Sequence, residues 1–291
     1  MKQVGCCNSF EGDAAWVILS PIEQSIKQKI EAVGTPLKDW DINIYRGVLT
    51  GCNEAFIIST EKRDEILANC QTEEERKRTE ELIRPILRGR DIKRYGYNWA
   101  NLWLINTHNG IRGKLERIHI ENYPAVKEHL DQYWNKISKR ADKGDTPYNL
   151  RNCAYLEDFS KPKVMWKIIG CNINFSFDET NKVCNNAVDI MTGKRNQLLQ
   201  FVGLMNSKLF EWYLKLTTEA EVQGGGIQLY VTTLEKTLLK LDFPNNLNEV
   251  TEQRLNGLVS DEDVDKTIYS LYNLTKEEID FIHFCKQVNR R

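Results

Sequence analysis

The strongest constraint on the fold of this chain is a polar loop between two apolar segments within residues 41–58. Before the loop, Ile42 and Ile44 alternate with polar residues, and after it a short apolar run follows. Alternation and β-branched side chains are typical of strands. Gly47 and Gly51 flank the polar part, where glycine permits a tight backbone. We therefore predict a strand, a glycine-flanked polar loop and a second strand.

The remaining segments mix helices and strands without regular alternation. Ser20 and Glu23 form a capping box, which predicts a helix with Ile22, Ile26, Ile30 and Val33 on one face and an end at Gly34. Further helices are predicted from Thr72 towards Pro85 (as an exposed, charged connector), over 123–141, over 197–216 and beyond 249. Further strands are predicted over 102–107, 164–169, 172–177 and 187–191, and 224–231 is predicted to be a flexible loop that leads into a strand. This order indicates an α+β fold, with a mixed sheet and packed helices.

The composition suggests three parts of unequal size. Residues 1–15 show no periodic pattern and are predicted to be irregular. Residues 16–246 are predicted to form one domain. After Phe243-Pro-Asn-Asn246 the sequence becomes acidic and helical, so 247–291 is predicted to be a C-terminal helical appendage packed on that domain.

Charge is distributed unevenly along the chain. The 291 residues carry a formal net charge of −1, yet 84–167 contain 17 Lys/Arg and 9 Asp/Glu, which leaves that span at +8 and the rest at −9. A local basic surface can bind phosphates on a protein that is neutral overall. A solvated face with uneven charge is the alternative interpretation.

Several other classes of protein lack support in the sequence. The eight cysteines and four histidines show no zinc-ligand spacing. No apolar run approaches the ~18 residues that span a bilayer, and no secretory signal is visible, so we expect no membrane partner and a cytoplasmic location. Phosphate-loop, His-Glu-x-x-His, Gly-x-Ser-x-Gly and Asn-Pro-Pro-Tyr motifs are all missing from the 291 residues, as is a glycine-rich loop for adenosylmethionine.

The nearest approach to a catalytic site is acidic. Asp91 and Lys93, with Glu80 and Glu81 upstream, resemble the carboxylates and lysine of a metal-dependent nuclease. Their setting is a charged turn rather than a strand, so we predict neither a catalytic nor a metal site, and a divergent nuclease stays as an alternative.

Binding residues are more abundant than catalytic ones. Lysine and arginine neutralise phosphates, and tyrosine can stack on bases. The residues predicted to contact DNA in this way are Lys93, Arg94, Lys114, Lys136, Lys139, Arg140, Lys143, Tyr148 and Lys167. Four of them, at 136, 139, 140 and 143, would share one face if the helix over 123–141 continued.

Base readers should be side chains that can make paired hydrogen bonds with base edges. Those in predicted loops are Arg46, Thr50, Asn53, Asn109, Arg112, Asn149, Arg151, Gln223 and Gln228. Each of them singly is explained as well by an ordinary turn or surface residue.

Several motifs in the same order resemble the TaqI-like C-terminal specificity domain of type IIG restriction–modification enzymes and adenine-specific DNA methyltransferases. They are Ile44-Tyr-Arg-Gly-Val-Leu-Thr-Gly-Cys-Asn-Glu-Ala-Phe56, Leu87-Arg-Gly-Arg-Asp-Ile-Lys-Arg-Tyr95, Tyr123-Pro-Ala-Val-Lys-Glu-His-Leu130, Ser160-Lys-Pro-Lys-Val-Met-Trp166, Leu204-Met-Asn-Ser-Lys-Leu209 and Tyr269-Ser-Leu-Tyr-Asn-Leu-Thr-Lys-Glu-Glu-Ile279. The resemblance extends over roughly residues 16–285.

The resemblance implies recognition of a specific sequence in double-stranded DNA. In the family, a separate methyltransferase domain binds S-adenosylmethionine and extrudes the target adenine, and some members add a Mg²⁺-dependent nuclease. The resemblance therefore implies a chain with no cofactor of its own, which partners a methyltransferase domain or subunit and in some systems a nuclease. It would be a fragment of a longer enzyme, a truncated gene product or a separate specificity subunit. A protein-interaction module that docks a methyltransferase through its acidic C-terminal helices is the other alternative.

Overall fold

The computed structural model describes residues 19–170, 172–218, 221–222, 226–240 and 245–288. Contacts divide the chain into two compact units. The first unit combines 1–41, 199–225 and 230–291, and the second combines 42–198 and 226–229. The domain boundaries predicted after residues 15 and 246 remain predictions. The segment 1–15, which is predicted to be irregular, lies outside the described residues.

The α-helices of the described residues differ in length from one turn to about four. They are α1 (Pro21–Glu31), α2 (Asn53–Phe56), α3 (Thr60–Ala68), α4 (Glu73–Leu82), α5 (Pro124–Asp131), α6 (Trp134–Ile137), α7 (Arg195–Met205), α8 (Lys208–Thr217), α9 (Val231–Leu234), α10 (Asn245–Leu255), α11 (Asp261–Leu271) and α12 (Lys276–Val288). Short 3₁₀ turns cover Leu37–Asp39, Gly89–Asp91, Ile120–Asn122 and Leu156–Ser160.

The strands are short. They are β1 (Thr35–Pro36), β2 (Ile42–Arg46), β3 (Ile57–Ser59), β4 (Ile83–Leu87), β5 (Leu102–Ile105), β6 (Lys163–Lys167), β7 (Ile169–Gly170), β8 (Phe175–Asp178), β9 (Val183–Cys184), β10 (Val188–Gly193), β11 (Glu221–Val222), β12 (Gly226–Gln228) and β13 (Leu238–Leu239).

Two four-stranded sheets build the second unit. One is antiparallel, in the order β2-β10-β6-β8. The other, in the order β3-β5-β4-β9, has one parallel pair, between β4 and β9. The mixed sheets and segregated helices confirm the α+β prediction.

The centre of the antiparallel sheet is buried on both faces. In β6 and β10 every residue but the last is buried, so their apolar residues are not confined to alternate positions. Lys163 in β6 and Asp178 in β8 are paired across the strands, with Nζ 2.6 Å from Oδ2 and side chains 0% and 1% exposed. Tyr97 and Thr180 donate hydrogen bonds to the other carboxylate oxygen. The polar groups of this buried pair are thus largely satisfied.

The pKa of Asp178 lies below its ordinary value. Burial alone would raise it, but the charge of Lys163 and the hydrogen bonds from Lys163, Thr180 and Tyr97 outweigh burial. Asp178 is therefore a buried carboxylate that stays ionised at neutral pH.

The first unit is mainly helical. The capping box at the start of α1 is confirmed, because the Ser20 hydroxyl accepts from Glu23 N–H and the Glu23 carboxylate accepts from Ser20 N–H. Ile26 and Ile30 are buried, but Val33 lies beyond the helix and is 44% exposed, so its predicted place on the apolar face is wrong. No described helix has the length and apolar character needed to cross a membrane.

Three of the predicted helices need correction. The span 197–216 is two helices, because Ser207 caps α8 by accepting from Phe210 N–H. The span 123–141 is also two short helices, and the second ends at Ile137. The helix α4 is not merely an exposed connector, since Glu75 is buried and accepts from the N–H of Ala125 and Gln71.

Candidate nucleic-acid interface

Three loops of the second unit contain most of the predicted base readers, and hydrogen bonds join these loops to one another. They are residues 47–53, 108–118 and 142–152, which we call the three-loop cluster. The first follows β2, the second follows β5 and the third follows α6. Loops placed by a rigid scaffold are where binding residues are concentrated in proteins.

Arg140 joins the first loop to the third. Its side chain is only 7% exposed, and Nη1 donates to the carbonyls of Thr50 and Asp142 while Nη2 donates to those of Pro147 and Asn149. The guanidinium carbon lies 4.5 Å from the ring centre of Phe56, at the end of α2. A planar guanidinium can hold several acceptors in a fixed geometry, whereas lysine offers a point charge.

The charge of Arg140 survives this burial. Desolvation lowers the pKa of Arg140 to about 10, partly opposed by the negative charges of Cys52, when ionised, and Asp142. The side chain is therefore protonated at neutral pH, and carbonyl dipoles surround the positive group.

Two asparagines join the second loop to the third. The Asn109 amide donates to Asp145 Oδ1 at 3.0 Å and to Asn152 Oδ1 at 2.5 Å, and its oxygen accepts from Asp145 N–H. The Asn149 amide donates to the carbonyls of His108 and Ile118, at the two ends of the second loop. The second and third loops are thus joined by hydrogen bonds of asparagine side chains, both to other side chains and to backbone.

The second and third loops line a groove. Its volume is about 870 Å³, and the polar side chains on its walls are Asn109, Arg112, Lys114, Glu116, Arg117, Asp145 and Asn152. Lys114 is paired with Glu157 and Arg117 with Asp145, at 2.5 and 3.6 Å. Exposed pairs of this kind contribute little and exchange easily. Among the described residues Arg112 has no ion-pair partner, so its guanidinium faces solvent at the groove.

Comparison with known proteins decides the family. The model of the TaqI-like C-terminal specificity domain matches residues 84–237, more than half of the chain. The chain belongs to this family. The match contains the second and third loops, and the first loop lies N-terminal to it.

One solved structure supports the fold of this specificity domain. The type IIL restriction–modification enzyme MmeI, solved in complex with DNA, matches with a TM-score of 0.57 at 14% identity, over 88% of this chain and 36% of that one. The type IIG restriction endonuclease BpuSI gives a TM-score of 0.48 at 11% identity, over 81% and 28%. The specificity domain thus spans about a third of the length of the MmeI chain. A comparison with curated proteins found no match.

The signature Leu87–Tyr95 of the specificity domain has a structural role. Asp91 is 5% exposed, and its carboxylate accepts from the backbone N–H, Nε and Nη2 of Arg88 at 2.8 to 3.0 Å. This ion pair closes the 3₁₀ turn that follows β4. The described residues contain no group of three or more metal-ligating side chains, and the nuclease alternative built on Asp91 gains no support.

Most of the other predicted residues of the specificity domain lie outside the three-loop cluster, whereas Lys143 and Tyr148 lie in its third loop. Arg46, Lys93 and Lys136 are exposed, Arg94 and Lys167 are half-buried, and Gln228 lies in β12 rather than in a loop; Gln223 lies outside the described residues. Lys136 is paired with Glu54 at 2.7 Å, Lys143 donates to the Ser138 carbonyl, and Lys93 donates to the Arg90 carbonyl. Tyr148 donates to Asp131.

Three assignments within the specificity domain are revised. Arg140 is buried against backbone carbonyls, so it holds loops rather than phosphates. Thr50 is 1% exposed and donates to Asn53 Oδ1, so its hydroxyl orients Asn53 instead of reaching a base. The shared helical face of 136, 139, 140 and 143 does not form, because α6 ends at Ile137.

Sequence reasoning missed the acceptors that complete the specificity domain's groove. Asn152 and Asp145 bind Asn109 from the opposite loop, and neither was selected as a reader. The asparagines near Arg151 in the sequence indicate a polar loop. A local pattern does not show, however, that two distant loops are paired.

Proposed function

We propose that this specificity domain reads a defined sequence in double-stranded DNA for a restriction–modification system of the type IIG, adenine-specific class. The observation that carries the proposal is the groove between the second and third loops, whose walls include the side chains of Arg112 and Asn109. Arginine suits guanine and asparagine suits adenine, because each can make two hydrogen bonds to the major-groove edge.

The charge pattern supports the same proposal. The span 84–167 carries a net charge of +8 and includes the second and third loops. Lys139 is exposed and has no ion-pair partner among the described residues, as expected of a phosphate contact. Phosphate contacts would place the domain on the duplex, and the groove would supply the base contacts.

In this proposal the chemical steps belong to a partner. A methyltransferase domain or subunit would bind S-adenosylmethionine and modify adenine, and a nuclease, where one is present, would hold Mg²⁺. The specificity domain would supply neither of these sites. We place the system in the cytoplasm, where its DNA substrate is found.

Selection of bound duplexes from a random library tests the proposal. The chain is expected to enrich a short common sequence over several rounds. Arg112→Ala is expected to relax the preference at one base pair, at a cost of about 1–3 kcal/mol for the selected duplex. Enrichment of no sequence by the wild-type chain, alone or with its methyltransferase partner, would contradict the proposed function.

A further inference from the structure

We propose that Arg140 is a positioning residue for sequence discrimination: its buried guanidinium sets the relative position of the loops 47–53 and 142–152. The inference rests on the proposed function and deepens it. It concerns a residue that contacts no DNA, and it explains how loops without regular secondary structure hold a defined surface.

The guanidinium of Arg140 has several acceptors, and they come from distant segments of the chain. Four backbone carbonyls, from Thr50, Asp142, Pro147 and Asn149, accept hydrogen bonds from the two terminal nitrogens. Thr50 is 90 residues from Arg140 along the chain, so this bond joins distant segments. A buried cation without hydrogen bonds is costly, so the loops and the guanidinium stabilise each other only in this arrangement.

The side chain of Arg140 is also closely packed against the first loop. Gly51 has a φ of +63°, and a Cβ built there would lie 3.1 Å from Asp142 Cβ and 3.3 Å from Arg140 Cδ. The first loop therefore lies directly on the aliphatic part of Arg140 and on Asp142. Phe56 covers the guanidinium from the side of α2.

The carbonyls that bind Arg140 belong to residues that also contact the predicted base readers or their loops. Asp142, whose carbonyl binds Arg140, accepts from Arg151 Nη1 through its carboxylate at 3.2 Å. Asn149, whose carbonyl also binds Arg140, holds both ends of the second loop through its amide. In the first loop, Thr50, whose carbonyl binds Arg140, donates a hydrogen bond from its hydroxyl to the side chain of Asn53. One side chain thus positions Asn53, Arg151 and the groove.

The test compares discrimination with affinity. With the duplex obtained by selection and a scrambled duplex of equal length, Arg140→Gly is expected to lower the ratio of the two affinities at least tenfold. Affinity for the scrambled duplex should fall less than threefold, because the phosphate contacts remain. Methylguanidinium at millimolar concentration should restore the ratio in the variant, whereas NaCl at equal ionic strength should not.

Two results would overturn the inference. One is a folded Arg140→Gly variant that discriminates like the wild type. The other is an equal loss of affinity for both duplexes without rescue by methylguanidinium. If the wild type itself selects no sequence, the proposed function fails, which is a different outcome.

A measurement on the unaltered protein covers the case in which Arg140→Gly does not fold. The guanidinium Nη–H groups of Arg140 should give separate, slowly exchanging signals in ¹⁵N-resolved NMR, because four carbonyls hold them. A single averaged, rapidly exchanging signal would contradict a fixed guanidinium. Arg112, exposed in the same domain, is the internal control for rapid averaging.

Discussion

At the scale of single residues, buried charged side chains in this domain hold the backbone in place. Arg140 binds carbonyls of two loops, and Asp91 binds both the backbone and the side chain of Arg88. Lys163 and Asp178 do the same inside a sheet, where the Lys163 ammonium also donates to the Thr180 carbonyl. Charged residues that look like catalytic or phosphate-binding groups in the sequence can therefore be structural.

The Lys163–Asp178 pair gives a test of this role. Lys163→Met leaves an unpaired buried carboxylate and is expected to lower the free energy of unfolding by about 3–5 kcal/mol at pH 7. Lys163→Met with Asp178→Leu should recover much of the loss, because no isolated charge remains. Urea unfolding of the three proteins measures this, and a double variant less stable than Lys163→Met would contradict it.

The same pair predicts a dependence on pH. The folded pKa of Asp178 lies below its unfolded value of about 3.9, so the stabilisation is present above that pH and is lost as the pH falls through the folded pKa. The stability difference between the wild type and the double variant should therefore shrink below about pH 4. Unfolding curves between pH 7 and pH 3 check this, and a constant difference would exclude Asp178 as the cause.

At the scale of elements, structure that is set by neighbouring residues is predictable from the sequence, whereas structure that is set by distant residues is not. The capping box at Ser20 and the N-cap at Thr72 need only neighbouring residues, and both helices begin where the sequence predicts. The end of α6 at Ile137 and the break at Ser207 depend on packing and capping that compete with a continuous apolar pattern. The sequence predicts the three loops as loops. It does not predict that Arg140, Asn109 and Asn149 join them, because these hydrogen bonds span up to 90 residues and produce no periodic pattern.

Two glycines separate the effect of backbone strain from that of packing in the loops. Gly51 and Gly113 have φ values of +63° and +75°, but a Cβ at Gly113 meets nothing within 4 Å. Gly113→Ala should therefore cost roughly 1–2 kcal/mol of stability from the backbone alone, and Gly51→Ala should cost more because Asp142 must move. Thermal unfolding compares them, and equal costs would show that the first loop is not tightly packed on Asp142.

At the scale of the whole molecule, the net charge conceals a basic span. The chain carries −1 in total, yet residues 84–167 carry +8, and acidic helices dominate beyond residue 249. Salt dependence of DNA binding reflects the phosphates that are contacted, not the overall charge. A near-neutral protein can therefore show a steep salt dependence if its cations meet the duplex on one side.

Two exposed lysines should therefore differ in their effect on DNA binding. Lys139→Ala should weaken binding of selected and scrambled duplexes alike and reduce the slope of log K against log salt by about 1. Lys266→Ala is the matched control, because Lys266 lies in the acidic α11 with a side chain 75% exposed and only a 3.4 Å pair with Asp263. Removing it should leave the slope unchanged. Salt-titrated fluorescence anisotropy measures both variants, and equal slopes for the two would show that phosphate binding is not concentrated in the basic span.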